Sequence, residues 1–286
     1  MNNFAAFILC HENPDKVVTW KSLEKYGYTG KKYIVLDDGD RCIEEFKSKF
    51  GAENVLLFSK DYAETLFDVM DNGTNRGCAV YARAAIPILA KEVGCKYFIV
   101  LDDDYIEFQY RYEEDNKLKL VYPVNLDEAF KCTVDFLDKN KNVTCVAFAQ
   151  GGDFIGGLSG SNYKKKVLRK VMNSFVCDVD RPFQFNGRTN EDVNAYCLEG
   201  SRGKLFLTFV DLMVNQADTQ QTKDGMTGIY LEQSTYQKSF YTVLCCPSFV
   251  KVRMMGDGHW RIHHSVFWEH AVPKIISSRY KKEKKC

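Results

Sequence analysis

The sequence predicts an α/β fold: a mostly parallel, Rossmann-like sheet flanked by helices, with a more elaborated C-terminal half. Three observations predict it. Apolar runs of strand length alternate with amphipathic stretches through the first half of the chain. Two of those runs drive straight into acid, at Asp37-Asp38 and at Asp102-Asp103-Asp104. No internal repeat and no Pro- or Ser-rich linker interrupts the order, which favours one domain over residues 1–286. Ligands of parallel α/β sheets bind beyond the carboxyl ends of the strands, so two acidic strand ends in one sheet mark a site.

Residues 4–10 form a continuous apolar strand, and Val17, Trp20 and Leu23 give residues 15–26 a helical spacing. A second strand, 33–36, ends at Asp37-Asp38-Gly39-Asp40, and a charged helix over 42–50 leads to a strand over 54–58. Cys78, Ala82, Ala85, Ile86, Ala90 and Val93 share one face of a helix over 78–93, which Pro87 should kink. The strand 97–101 follows. Leu126, Ala129, Phe130, Val134 and Leu137 predict a helix over 126–137, and 143–149 reads as a strand. It runs into Gly151-Gly152-Asp153-Phe154-Ile155-Gly156-Gly157, a flexible turn without the lysine of a phosphate-binding P-loop. Beyond it the pattern predicts a short helix over 189–200, strands over 202–210 and 248–254, and an amphipathic closing helix over 268–280.

Composition narrows the class. The chain has 286 residues, 45% hydrophobic and 27% charged, as expected of a soluble α/β protein. No apolar run reaches membrane-span length, and the N-terminus has neither a basic n-region nor a cleavage site. Eleven scattered cysteines, without a CxxC pair or zinc spacing, read as free thiols of a reducing cytoplasm. A net charge of +1 gives no general pull toward polyanions, although residues 279–285 form a basic tail.

Three segments carry chemistry. Asp102 and Asp104 stand at i and i+2, so an extended chain turns both carboxylates to one side. Such an oxygen-rich pair suits Mg²⁺ or Mn²⁺, which in turn binds a diphosphate; a polar turn that merely stops a strand is the plain alternative. In Arg188-Thr189-Asn190-Glu191-Asp192-Val193-Asn194-Ala195-Tyr196 two acids open a helix. They serve as a capping box from Thr189 to Asp192, or supply a general base. Trp260-Arg261-Ile262-His263-His264 lies where three of the five histidines cluster, at 259–264. His263 and His264 are adjacent and point opposite ways if extended, so at most one enters a common site.

Asn72-Gly73-Thr74-Asn75-Arg76-Gly77, then Tyr81-Ala82-Arg83-Ala84, then a helix and Val100-Leu101-Asp102-Asp103-Asp104, resemble the heart of a GT-A nucleotide-sugar glycosyltransferase. The resemblance covers residues 4–105, the nucleotide-sugar half, and leaves 106–286 as the acceptor half. It implies that Asp104 binds a donor-held Mn²⁺ or Mg²⁺ and that Asp102 contacts that metal or the donor ribose. By the same resemblance Asp37 and Asp38 receive the nucleoside, Gly77 and Asp103 border the donor, and Arg83 faces the donor or braces the acids. Asp192, or next Glu191, becomes the base of an inverting transfer. His263 or His264 becomes a third metal ligand, with Arg261 supporting the diphosphate.

The Thr189–Asn194 run, Gly225-Met226-Thr227, Arg261-Ile262-His263-His264, Trp268 and Ala271-Val272-Pro273-Lys274-Ile275-Ile276 are similar to a phage and bacterial group. That group resembles the TET/JBP-associated glycosyltransferases, the family of the base J glucosyltransferase. A UDP-sugar donor and a 5-hydroxymethylpyrimidine acceptor in DNA follow as expectations. Charge for DNA is expected from Lys164-Lys165-Lys166, Arg169-Lys170, Arg181, Arg188 and the tail, and base stacking from Phe183, Phe185 and Tyr196. Three alternatives stand beside this reading. One is a GT-A enzyme with a glycan, protein or small-molecule acceptor. Another is a nucleotidyltransferase, against which the plain Leu9-Cys10-His11-Glu12-Asn13 segment counts. The third is a non-enzymatic binding module.

Overall fold

Six apolar residues without a polar break build β1 (Phe4–Leu9), and all six are buried. A strand of this kind needs cover on both faces, which parallel sheets with helical crossovers provide. In the computed structural model, which describes residues 3–121, 124–154, 157–160, 174–216, 227–256 and 260–271, β1 lies near the middle of one half of the sheet. It pairs in parallel with β2 (Lys31–Asp37) on one side and β4 (Tyr97–Asp102) on the other, and β3 (Val55–Phe58) pairs in parallel with β2.

Beyond β4 come β8 (Phe175–Asp178), β7 (Val143–Gln150), β9 (Leu205–Gln216), β5 (Tyr105–Glu114) and β6 (Lys117–Val121). The full order is β3-β2-β1-β4-β8-β7-β9-β5-β6, one nine-stranded sheet drawing on both halves of the chain. The pairings leave only β8 and β5 running against the other strands, so the sheet is mostly parallel as predicted. Asp115 and Asn116, at φ 52° and 56°, make the tight turn from β5 to β6, the backbone that short hairpins prefer. A second sheet is the antiparallel hairpin of β10 (Val250–Met255) and β11 (Arg261–Val266).

The helices are α1 (Val18–Lys25), α2 (Ile43–Phe50), α3 (Lys60–Glu64), α4 (Val80–Glu92), α5 (Leu126–Lys139), α6 (Glu191–Ser201), α7 (Thr227–Cys245) and α8 (Trp268–Ala271). Strand alternation splits the core in two. Phe7, Val35, Phe98 and Val100 pack with Ile86 and Leu89 of α4 and with Val193 and Cys197 of α6. Ile8, Ile34, Leu36 and Leu101 pack on the other face with Leu23 of α1, Phe46 of α2 and Phe130 of α5. Pro87 lies inside α4, which continues to Glu92; the missing N–H removes one internal bond without ending the helix.

Several elements escaped the sequence pattern. β5 and β6 mix apolar residues with many charges, β8 has four residues, and α3 has five, too few for periodicity to speak. The strand predicted over 202–210 starts at Leu205, because Gly203 at φ 104° first terminates α6. The glycine-rich turn after β7 forms two short 3₁₀ turns, Gly151–Phe154 and Gly157–Ser159. The closing helix is described for Trp268–Ala271. Its predicted remainder, the Lys164–Lys170 cluster, Gly225-Met226 and the 279–285 tail lie outside the described residues. Among the described residues no helix is long and apolar enough to cross a membrane.

Gly200 brings the end of α6 against α8: a Cβ at this position would sit 2.1 Å from the Ala271 carbonyl oxygen. Backbone cannot yield as a side chain does. Gly200→Ala should therefore destabilise by about 1–3 kcal/mol in urea denaturation. Gly152→Ala, where a Cβ meets open space, should leave the midpoint nearly unchanged. Equal midpoints for the two variants would exclude the close approach.

Candidate functional site

Leu9 is in register with Val35 of β2 and with Asp102 of β4. The two acidic strand ends therefore lie on either side of the chain leaving β1. On the β2 side, buried Asp37 places Oδ2 3.0 Å from Lys60 Nζ and 3.8 Å from His11 Nδ1. His11 Nδ1 lies 3.2 Å from Asp40 Oδ2, which also accepts from the Glu12 amide at 2.8 Å. Asp40 Oδ1 accepts from the Cys42 amide at 2.8 Å. Asp38 is exposed. His11, Asp37 and Asp40 gather three metal-ligating atoms within 4.8 Å of one another, the one such group among the described residues. Lys60 already compensates part of its charge.

On the β4 side the Asp102–Asp104 turn is pinned by the start of α1. The first amides of a helix lack intrahelical partners. Here those of Val18 and Thr19 donate to the Asp103 carbonyl at 3.0 and 3.1 Å. Thr19 Oγ1 donates to the Asp102 carbonyl at 2.6 Å and accepts from the Tyr105 amide at 2.8 Å. The side chains converge as the i, i+2 spacing requires. One amide, Gln216 Nε2 at the end of β9, donates to Asp104 Oδ1 at 3.1 Å and to Asp102 Oδ2 at 3.4 Å. Burial and then the charges of Asp102 and Asp104 push Asp103 up to about 7. Burial and Asp102 push Asp104 up to about 6. Three crowded acids are a hard-oxygen donor set that fits a divalent cation.

Arg83 joins this strand end to the second acidic segment. Its guanidinium, in the first turn of α4, is buried and donates from Nη2 to Asp102 Oδ1 at 3.1 Å and from Nη1 to Glu191 Oε1. Phe175 and Phe185 lie 5.5 and 6.0 Å from it. Burial opposes its charge, but Glu191 and Asp102 outweigh that and hold its pKa above the ordinary arginine range. Burial raises Asp102 and Glu191 against the pull of Arg83.

Glu191 and Asp192 are the first residues of α6. The helix cap is Asn190 rather than Thr189. Asn190 is left-handed, at φ 54°, and makes no side-chain cap bond. Its Nδ2 donates instead to the Lys238 carbonyl of α7 at 2.9 Å and to His264 Nδ1 at 3.1 Å. Asp192 is half-buried, and its charge acts on Arg83 and on Lys238. Burial lowers Lys238 against the pull of Asp192 and Glu191, while nearby Arg261 lowers it further.

The two histidines do not point apart. His263 folds along the chain so that its Nδ1 lies 2.7 Å from the His264 carbonyl, and the rings stand 4.3 Å apart. Gly77 is exposed in the loop before α4, with its amide donating to Asn75 Oδ1 at 2.9 Å. The structure thus joins Arg83, Asp102 and Glu191 directly and Asp104 through Gln216. It brings His264 to Asn190 at the start of α6, sets Asp192 and Arg261 within electrostatic reach of Lys238, and keeps Asp37 and Asp38 across β1.

Five of the residues expected on sequence to meet DNA, Arg181, Arg188, Phe183, Phe185 and Tyr196, are held within the protein instead. Arg188 is 1% exposed, ion-paired with Asp71 at 2.7 Å and bonded to the Asn75 carbonyl at 2.6 Å. A Cβ on Gly73 would lie 1.7 Å from its guanidinium, so that loop needs the glycine. Arg181 pairs with Asp178 at 2.9 Å and donates to the carbonyls of Leu137, Asn140 and Val143. Phe183, Phe185 and Tyr196 pack into the core with Phe175 and Phe206. Sequence reasoning passed over Thr19, Gln216, Lys60, Asn190 and Lys238, since each acts through a partner distant in the chain.

Removing Arg83 strands Asp102 and Glu191. Arg83→Met should cost about 3–5 kcal/mol in chemical denaturation. Adding Glu191→Gln should recover part of it by removing one stranded charge. A single variant as stable as the parent would show that the ion triad carries no such energy.

Glucosyl-3-phosphoglycerate synthase from Mycobacterium tuberculosis, solved with Mn²⁺, UDP and phosphoglyceric acid, is 11% identical. The likeness covers 93% of this chain and 87% of that one, at a TM-score of 0.45. A mannosyltransferase from Pyrobaculum calidifontis, solved with GDP-Man and Mn²⁺, is 9% identical over 77% of this chain and 58% of that one, at 0.45. S. aureus TarS 1–349 is 13% identical over 75% and 60%, at 0.42. No curated protein gives a significant match. The family model described as TET-Associated Glycosyltransferase matches residues 4–226, a span that takes in every strand of the main sheet, both acidic strand ends, Arg83, Glu191 and Asp192. The nucleotidyltransferase and non-enzymatic alternatives fall with that match: the chain belongs to the TET-associated glycosyltransferase family and is a glycosyltransferase.

Proposed function

We propose that the enzyme moves a sugar, with inversion, from a UDP-sugar to the hydroxyl of a 5-hydroxymethylpyrimidine in DNA, assisted by Mn²⁺ or Mg²⁺. The observation that carries the chemistry is the bridge from Asp102 through Arg83 to Glu191, which fixes a metal-type acid pair next to a helix that opens with acid. The DNA acceptor rests on family membership and on the resemblance of the Thr189–Asn194 and Arg261–His264 segments.

Asp102 and Asp104 would hold the cation, with His263 or His264 as a further ligand. Bound there, the metal would neutralise charge that develops on the leaving diphosphate. Asp37 and Asp38 accept from the nucleoside, Gly77 and Asp103 border the donor, and Arg261 supports the diphosphate. Asp192 takes the proton from the acceptor hydroxyl as that oxygen attacks the anomeric carbon. Glu191, next to it, is committed to Arg83 and keeps the start of α6 in place. A rigid helix end suits a general base, because a carboxylate that must meet one hydroxyl cannot wander.

Asp104→Asn should lose Mn²⁺-dependent UDP-sugar binding in calorimetry while its melting temperature holds; binding as tight as the parent's would remove Asp104 from the site. Asp192→Asn should keep donor binding and lose about 10²–10⁴ in turnover. Near-normal turnover would shift the base to Glu191, and a product with the donor's anomeric configuration would reject inversion. For the acceptor, duplex DNA bearing 5-hydroxymethyluracil or 5-hydroxymethylcytosine is incubated with sugar nucleotides and Mn²⁺, then digested for mass spectrometry. A hexose-sized gain on the modified nucleoside is expected. Turnover of donor with no nucleoside gain would move the acceptor to a glycan, protein or small molecule.

A further inference from the structure

The β10–β11 hairpin lies beyond the span matched by the family and outside the main sheet. Its root is buried, with Phe249 and Val250 in the core, and nearer the tip Ser239 Oγ of α7 donates to the Ile262 carbonyl at 3.0 Å. Its far end is exposed. Trp260 is 69% exposed, Met254 55% and Met255 47%, three large apolar side chains at the tip of one ribbon. Lys251, Arg253 and Arg261 are exposed along it as well. In register Arg253 faces His263, and Met255 faces Arg261. Strand alternation therefore puts Lys251, Arg253 and Met255 on one face with Arg261 across from them. Phe267 at the root lies under the first two cations, 5.9 Å from Lys251 Nζ and 5.3 Å from the Arg253 guanidinium. Neither described strand contains an acid. In a chain whose net charge is +1, this ribbon concentrates positive charge and exposed apolar surface in one place. It also connects to the start of α6, because His264 of β11 is bonded to Asn190.

We propose that this hairpin is the element that docks duplex DNA and opens it at the target base. The inference rests on the DNA acceptor proposed above. A two-stranded ribbon fits a DNA groove, and the exposed Lys251 and Arg253 complement its phosphates. A base inside the duplex is out of reach of an enzyme and must be extruded, which proteins assist with apolar side chains pressed into the stack. Trp260, Met254 and Met255 supply that wedge, on the same ribbon whose His264 meets the residue preceding Glu191 and Asp192.

The test uses the full chain and a fluorescein-labelled duplex with a single 5-hydroxymethyluracil, read by fluorescence anisotropy over a salt series. Lys251→Gln with Arg253→Gln should flatten the slope of log K against log salt by about 2. Trp260→Ala should bind about five- to a hundred-fold more weakly, the loss expected of a removed stacking platform. Hydrolysis of UDP-sugar without acceptor should match the parent in all these variants, which also certifies their folding. Variants that bind the duplex with the parent's affinity and salt slope would overturn the hairpin's role and leave the DNA acceptor standing. A parent that neither binds nor glycosylates the duplex, yet turns over donor, would overturn the acceptor and the hairpin together.

Discussion

A guanidinium in the interior is the constraint around which this site is built. Burying Arg83 removes it from water, at an expense that only nearby opposite charge can offset. The chain supplies Asp102 from a strand end and Glu191 from a helix start, residues separated by 89 positions in sequence. Neither acid would tolerate this depth alone, since burial raises both. The result is mutual dependence: α4, β4 and α6 hold their positions because each contributes one member of a group that is stable only when complete.

The acidic turn after β4 is rigid for a different reason. Helix α1 begins with amides that have no partner within the helix, and the Asp103 carbonyl accepts two of them. Thr19 closes the turn from both sides. The backbone of the three aspartates is thus tied down while their side chains converge, with Gln216 shared between Asp102 and Asp104. Rigid backbone and crowded carboxylates together make the turn a donor set suited to a cation.

At the start of α6, what the helix lacks matters. Asn190 adopts the left-handed conformation and spends its side chain on α7 and on His264 rather than on capping. The start of α6 is consequently cross-linked to a later helix and to the hairpin. Three segments far apart in the sequence meet next to Asp192.

The sequence by itself determined the α/β class, the parallel order of its early strands and the convergence of Asp102 with Asp104. Those follow from local rules: continuous apolar runs need two-sided cover, and i, i+2 residues of a strand share a side. Tertiary structure alone decided which charges are surface and which are structure. Arg188 and Arg181 look in sequence like any exposed cations, yet Asp71 and Asp178 with nearby carbonyls enclose them. Phe183, Phe185 and Tyr196 look available for stacking and instead fill the core. The exposure of Arg253, Met255 and Trp260 carries no local mark. Burial is a property of what the rest of the chain brings alongside a residue, and no window of sequence contains it.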